Sequence, residues 1–206
     1  MTAEAILTHE LDTPAPKRTQ SDSAVLAATI RAAQSGDDAA FEDLMRLSER
    51  RVALLAWRIL GDGEETKDAV QDVFLRVYRH LGRFDARHEF AGWLFRITVN
   101  VCRDLRKKRR KRAIFTPIDA ADDVADAVQV DDDLATRRDV VLLTRAIDAL
   151  PEKERLAVIL RDIEELSTEQ VASILGNSAA TVRVQISKAR VKLRQWIAEW
   201  RKGSGS

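Results

Sequence analysis

The chain has 206 residues, with 34 basic and 33 acidic side chains, a formal net charge of +1, 45% apolar residues and one cysteine. That length suits two small domains, each with its own core. A single cysteine excludes an internal disulfide, three scattered histidines (His9, His80, His88) give no metal-ligand spacing, and no apolar run approaches membrane length.

Glycine and proline number only 8 and 4, and Ala, Leu, Arg, Glu and Asp dominate, which favours helices. Residues 1–23 carry Pro14, Pro16 and several Ser/Thr without helical period and read as a disordered tail. Glu4, His9, Glu10 and Asp12 interrupt the short apolar stretch there, so a signal peptide is not expected. Helical periodicity then spans 24–112. Phe41, Leu44, Leu47, Val52, Leu55 and Ile59 mark a first long helix, stopped by Gly61 and Gly63 around Asp62. The next is expected from about Glu65 to Leu81, with Val70, Val73, Phe74, Val77 and Leu81 inward. Its other face carries Asp68, Gln71, Asp72, Leu75, Arg76 and Arg79. A leucine among charges suggests a protein interface, and a solvated face with one stray leucine is the alternative.

A third helix runs from Phe90 to about Arg112, with Phe90, Leu94, Ile97, Val101 and Leu105 as its buried stripe. On nearly the opposite side lie Arg96, Asn100, Arg103, Lys107 and Arg110, with Trp93 at the edge. Basic groups neutralise phosphates, an amide can bond a base edge, and an aromatic can stack on an unpaired base. The helix ends in the run Arg106 to Arg112, which extends this stripe and points to nucleic acid or another polyanion rather than a merely solvated tail. Residues 113–133 read as a flexible linker, acidic through Asp119, Asp122, Asp123, Asp126 and Asp131 to Asp133.

Helical patterning resumes over 134–200. Pro151 suits the first turn of a helix carrying Leu156, Val158, Ile159, Leu160 and Ile163. Ser167 and Gln170 match a capping box ahead of Val171, Ile174 and Leu175, and Gly176-Asn177 breaks that short helix. Ser178 can cap a last helix with Val182, Ile186, Ala189 and Leu193 inward. Arg183, Val184, Ser187, Lys188, Val191 and Arg194 face outward. A short helix, a glycine turn and a basic-faced helix are the parts of a helix-turn-helix, although a plain helical hairpin with a basic surface has the same parts. Arginine or lysine would read guanine edges or hold phosphates, and Val184 would touch a thymine methyl. Residues 201–206 read as a flexible tail or an expression scar.

Several segments resemble the extracytoplasmic-function (group IV) sigma factors of bacterial RNA polymerase, in the sigma-70 superfamily. Leu60-Gly61-Asp62, Lys67 to Leu75, and Phe90 to Asn100 look like their region two. Ala149-Leu150-Pro151, Thr181-Val182-Arg183 and Ser187 to Arg190 look like their region four. The resemblance implies an all-α fold in which a region-two bundle (24–112) and a region-four helix-turn-helix (134–200) are joined by the acidic linker. It implies a transcription-initiation factor with no catalytic residue, cofactor or metal, acting in the cytoplasm without membrane insertion. Asp68, Gln71, Asp72, Leu75 and Arg76 would meet the clamp helices of core polymerase, and region four its flap. Arg83, Trp93, Arg96, Asn100, Arg103 and Lys107 would hold the minus-ten element, with a flipped base captured in the loop from Arg83 to Glu89. Thr181, Arg183, Val184, Ser187, Lys188 and Arg194 would read the minus-thirty-five element. An anti-sigma factor is the implied inhibitory partner. Glu165 stands where the family has glycine before Leu166, Thr66-Lys67 replaces the usual Ala-Glu, and Gln185 and Lys188 stand where arginines are common, which puts the promoter sequence in question. A stand-alone helix-turn-helix regulator, or an adaptor binding acidic proteins, stays open from the residues alone.

Overall fold

The computed structural model describes residues 20–85, 89–115 and 142–203. These fall into two compact units, one holding the residues up to 115 and the other those from 142, and every regular element among the described residues is helical. The expected tail up to residue 19, loop residues 86–88, most of the linker and residues 204–206 lie outside the described residues.

The first unit comprises α1 (Gln20–Gln34), α2 (Asp38–Leu60), α3 (Gly63–His80) and α4 (Phe90–Phe115), with a 3-10 turn over Leu81–Arg83. Helix starts at Gln20, four residues before the periodicity shows it. Asp37 caps α2 by accepting from the amides of Ala39 and Ala40, at 3.0 and 3.1 Å. Gly61 ends α2 at φ 71°, a left-handed conformation that costs glycine nothing. Asp62 then caps α3 through the Glu65 amide at 2.8 Å, so Gly63 opens a helix rather than stopping one.

Helix α2 packs against α1, α3 and α4, and α3 packs against α4. Leu44, Val52, Leu55 and Ile59 are buried as the spacing indicates, but Leu47 is 65% exposed and Ser48 takes the inward position. Steps of four keep the core face from Leu44 to Ser48 to Val52, and Leu47 falls one residue short. It lines a surface groove with Val25, Phe90 and Leu94 instead. The interior of α4 is also wider than the sequence stripe. Phe95, Thr98, Val99 and Cys102 are buried, while Ile97 and Leu105 are only half-buried. A helix covered by both α2 and α3 needs a broader inward arc than one covered by a single neighbour.

The second unit comprises α5 (142–148), α6 (Glu152–Val158) running into a π-helical turn (Ile159–Ile163), α7 (Thr168–Leu175) and α8 (Ala179–Gly203). Pro151 occupies the position just before α6 rather than its first turn. The capping box is present: Ser167 Oγ accepts from the Gln170 amide at 3.2 Å, and Gln170 Oε1 accepts from the Ser167 amide at 2.8 Å. Gly176 ends α7 at φ 67°, and Ser178 Oγ accepts from the Thr181 amide at 3.1 Å to start α8. Helix α8 lies against α6 and α7, burying Val182, Ile186, Ala189 and Leu193.

Candidate docking and nucleic-acid interfaces

The outer face of α3 presents Asp68, Gln71 and Leu75 to solvent, with Leu75 54% exposed. Asp72 and Arg76 are half-buried and otherwise engaged: Arg76 Nη2 reaches Asp72 at 3.1 Å and Asp104 of α4 at 3.2 Å. Arg76 therefore ties α3 to α4, and Asp72 meets any partner with part of its charge already balanced. Periodicity alone misses Tyr78. It is 62% exposed, one turn from Leu75, and meets Phe41 edge-on at 5.1 Å. An aromatic three residues after an outward leucine is the signal that would have found it.

Along α4, Arg96, Asn100, Arg103, Lys107 and Arg110 are all exposed and share one face. The terminal run is less uniform than its charge suggests. Arg106 turns inward and donates to the Ile59 carbonyl at the end of α2. That places a cation on the negative end of a helix dipole. Arg109 pairs with Glu65 at 3.2 Å. Trp93 is half-buried, its ring 5.0 Å from that of Phe84 and 5.6 Å from that of Phe90. Phe84 and Phe90 meet edge-on at 5.5 Å. Trp93 is thus an anchor of the cluster flanking the expected capture loop. Arg83 is exposed in the turn before it.

On α8, Thr181, Arg183, Val184, Ser187, Lys188 and Arg194 are all exposed on one side, opposite the buried stripe. Val184, 53% exposed, sits among them as an apolar contact point. Arg183 makes only a solvent-exposed ion pair, 3.3 Å to Glu169, of the kind contributing about 0–1 kcal/mol. It can exchange that partner for a phosphate or base edge at small cost. Gln185 is buried, with 9% exposure, so it lies away from this face.

The second unit also buries charge. Arg190 clasps Asp162 with Nε to Oδ2 at 3.0 Å and Nη2 to Oδ1 at 2.7 Å, and the Asp162 side chain has no exposure. Arg161, also buried, donates to the Leu166 carbonyl at 3.1 Å. A charge in the inward register of an amphipathic helix demands a counter-charge, and Arg190 next to Ala189 carries that signal in the sequence. The partner, 28 residues away, does not. Glu165, where glycine was the expected residue type, has φ 56°. Burial pushes the Cys102 thiol up to about 12, which keeps it protonated and inert. Among the described residues no helix is long and apolar enough to cross a membrane.

Comparison with known proteins agrees with this division. The family model for sigma-70 region 2 matches residues 44–112, and that for sigma-70 region 4 matches 141–193. The RNA polymerase sigma-H factor of Pseudomonas aeruginosa is 32% identical over 171 residues, 78% of this chain and 88% of that protein. The ECF RNA polymerase sigma factor SigM of Mycobacterium tuberculosis is 32% identical over 178 residues, 86% and 85% of the two chains. Among solved structures, CnrH in complex with the cytosolic domain of CnrY aligns at TM-score 0.62 and 25% identity, over 85% of this chain and 96% of that one. RpoE of Bartonella quintana, solved with the anti-sigma factor NepR, shares the fold at TM-score 0.65 and 20% identity, over 77% and 96%.

Proposed function

The chain belongs to the extracytoplasmic-function sigma factors of RNA polymerase, and from that premise we propose how its faces divide the work of starting transcription. The first unit docks on the clamp helices of core polymerase through Asp68, Gln71, Asp72 and Leu75 on α3, with Arg76 holding Asp72 in place. The second unit approaches the polymerase flap and lays α8 in the major groove of the minus-thirty-five element, where Arg183, Val184, Ser187 and Lys188 meet base edges and Thr181 and Arg194 meet phosphates. The exposed stripe of α4 takes the minus-ten strand: Arg96, Arg103 and Lys107 on phosphates, Asn100 on a base, and Arg83 at the approach to the capture loop. Trp93 supports that loop from its aromatic cluster.

Strand opening by this route needs no catalytic group, cofactor or metal, because stacking an unpaired base contributes about 1–3 kcal/mol. The chemistry stays with the polymerase. The protein works in the cytoplasm, and an anti-sigma factor that clasps these faces would silence it. One observation carries the reading: two long helices in separate units each expose a one-sided basic face beside polar and small apolar side chains suited to bases. A stand-alone regulator would leave the Asp68, Gln71 and Leu75 face without a role. Run-off transcription with core polymerase over a promoter library tests this directly. Discrete transcripts from promoters sharing two elements are expected, and the double variant Gln71→Arg, Leu75→Arg should abolish them while helical content stays unchanged. Sequence-independent DNA binding without transcripts would overturn it.

A further inference from the structure

The helix-turn-helix from Ser167 to Ala198 holds a single acidic residue, Glu169, among Arg183, Lys188, Arg190, Lys192 and Arg194. The structure sets that carboxylate against Arg183: Arg183 Nη2 donates to Glu169 Oε1 at 3.3 Å, across the packing of α7 on α8. The backbone around Glu169 is firmly held. Thr168 and Val171 on either side are buried, and the capping box of Ser167 and Gln170 closes on the same turn. The one acid of the motif thus stands beside the arginine that the outward face of α8 offers to DNA.

A carboxylate on a face that meets duplex repels phosphates and weakens binding. Stability does not account for its presence. Both side chains are open to water, 54% exposed for Arg183 and 67% for Glu169, and such pairs contribute little. The N-terminus of α7 favours an acid in its first turn, but that preference does not require Arg183 beside it. What the pair changes is the choice open to Arg183. A guanidinium has five N–H donors, and Glu169 engages one of them. Two parallel bonds to O6 and N7 of a guanine stay available with the pair intact. A phosphate is different, because it must displace the carboxylate or share the guanidinium against charge repulsion. That exchange is cheap, but it replaces one anion by another and gains little. The uncharged base edge becomes the better partner, which is specificity achieved by penalising the wrong contact.

We propose that Glu169 is a specificity-determining residue of the duplex-reading face, its carboxylate holding Arg183 off the phosphates and keeping it for a base edge. This rests on the reading of α8 as the minus-thirty-five helix. The test uses holoenzyme assembled from the full chain and core polymerase. The probes are single-base variants of the upstream element of a promoter chosen by run-off transcription, and a duplex of random sequence. Arg183→Ala first marks the position that Arg183 reads, the one where preference relaxes. Glu169→Gln removes the charge and keeps the size. It should relax preference at that same position about fivefold and leave the other positions and the thermal midpoint unchanged. It should also tighten binding to the random duplex and steepen its salt slope by up to about one unit. In an Arg183→Ala background the relaxation should vanish and most of the tightening with it, the non-additivity expected of coupled side chains. Equal tightening in both backgrounds with an unchanged preference profile would make Glu169 a diffuse repulsive charge and overturn the proposal. Relaxation at another position that persists without Arg183 would mean that Glu169 touches a base itself, and would overturn it too. So would no change, or a lowered midpoint with the wild-type profile. An Arg183→Ala profile identical to wild type would overturn base reading by Arg183, a failure seen without any Glu169 variant.

Discussion

Helices α4 and α8 both present a basic face to solvent above a buried apolar stripe, yet among the described residues only α8 also carries a buried ion pair. Helix α4 is gripped by hydrocarbon: Leu94, Phe95, Val99, Val101 and Cys102 are buried against two neighbouring helices. Its cations are partly committed to the fold, with Arg106 on the Ile59 carbonyl and Arg109 on Glu65. Helix α8 adds a buried charge to its own apolar stripe of Val182, Ile186, Ala189 and Leu193: inside, Arg190 grips Asp162, while the outer Arg183 and Lys192 make surface pairs with Glu169 and Glu154. A grip made of apolar contacts is non-directional and tolerates small shifts. A bidentate ion pair fixes rotation about the helix axis as well as distance. The two grips suit two kinds of DNA contact. On the proposed division of work, duplex reading by α8 would need a fixed register against base edges, whereas an α4 face following an unpaired strand would tolerate more freedom.

The sharpest way to break this contrast is to remove the clasp. Asp162→Ala leaves Arg190 buried and uncompensated and should destabilise the second unit by about 3–5 kcal/mol. Hydrogen exchange should show α6 to α8 opening while α2 to α4 keep their protection. Pairing Asp162→Leu with Arg190→Met should recover most of the stability while blurring base preference on α8. Unchanged preference in that double variant would show that the ion pair does not set register.

The first unit has its own sensitive group. The Cys102 thiol is raised from 9.0 to about 12 by burial. For an acid the raised folded value favours the neutral form, so its contribution is fully present below pH 9 and is lost as pH climbs through 9 toward 12. Alkaline titration of unfolding should therefore weaken the first unit over that window, and Cys102→Ala should flatten that limb relative to the wild type. A thiol reagent at pH 8 should leave the folded chain unmodified. Rapid labelling would show that α4 opens more readily than its packing indicates.

Much of both units is legible in the sequence because helix signals are local. The capping box at Ser167 and Gln170, the left-handed glycines Gly61 and Gly176, and the inward stripe of α8 all follow from spacing and side-chain chemistry within a few residues. The expected docking and base-reading residues on α3, α4 and α8 fall largely on exposed faces for the same reason. What stays hidden depends on neighbours distant in sequence. Periodicity gives the centre of a buried face but not its width, so it misses Phe95 and Thr98 on α4 and turns Leu47 inward. Arg76, Arg106 and Arg109 read as surface charge until Asp104, the Ile59 carbonyl and Glu65 are seen beside them. Gln34 carries no local mark at all, because the Leu81 and Phe84 carbonyls to which its amide donates lie 47 and 50 residues away.

On the DNA side, the contrast sharpens into two kinds of loss on one helix. Arg183→Ala should cost about 1–3 kcal/mol at one promoter position and relax preference there, as a base contact does. Arg194→Ala should weaken all sequences alike and reduce the salt slope by about one unit, as a phosphate contact does. Competition binding of the holoenzyme to single-base promoter variants at two salt concentrations separates the two. A smaller effect is expected at Glu165, held at φ 56°. Glu165→Gly should raise the stability of the second unit by about 0.5–1 kcal/mol, the relief of left-handed strain being partly offset by the greater freedom of glycine in the unfolded chain. Thermal unfolding measures it, and a destabilised variant would mean that the Glu165 side chain contributes more than its backbone costs.

The smallest expected change in stability asks how far the cations of α4 are shared between fold and nucleic acid. Arg109 meets Glu65 at 3.2 Å, with side-chain exposures of 42% and 25%. A pair so open to water contributes about 0.2–1 kcal/mol, and Glu65→Gln should lower the midpoint of the first unit only slightly. Its effect on DNA should be easier to see. Removing a carboxylate from beside Arg109 frees that guanidinium for phosphate and takes away a repulsive charge, so binding to non-specific DNA should tighten and its salt slope should steepen by up to about one unit. The position of preferred bases should not move, because Arg109 lies beyond the stripe that carries Asn100. A steeper slope with unchanged sequence preference would show that the fold holds back part of its basic charge at this helix. An unchanged slope would place Arg109 outside the path of the DNA, leaving Arg96, Arg103, Lys107 and Arg110 to carry the electrostatics alone.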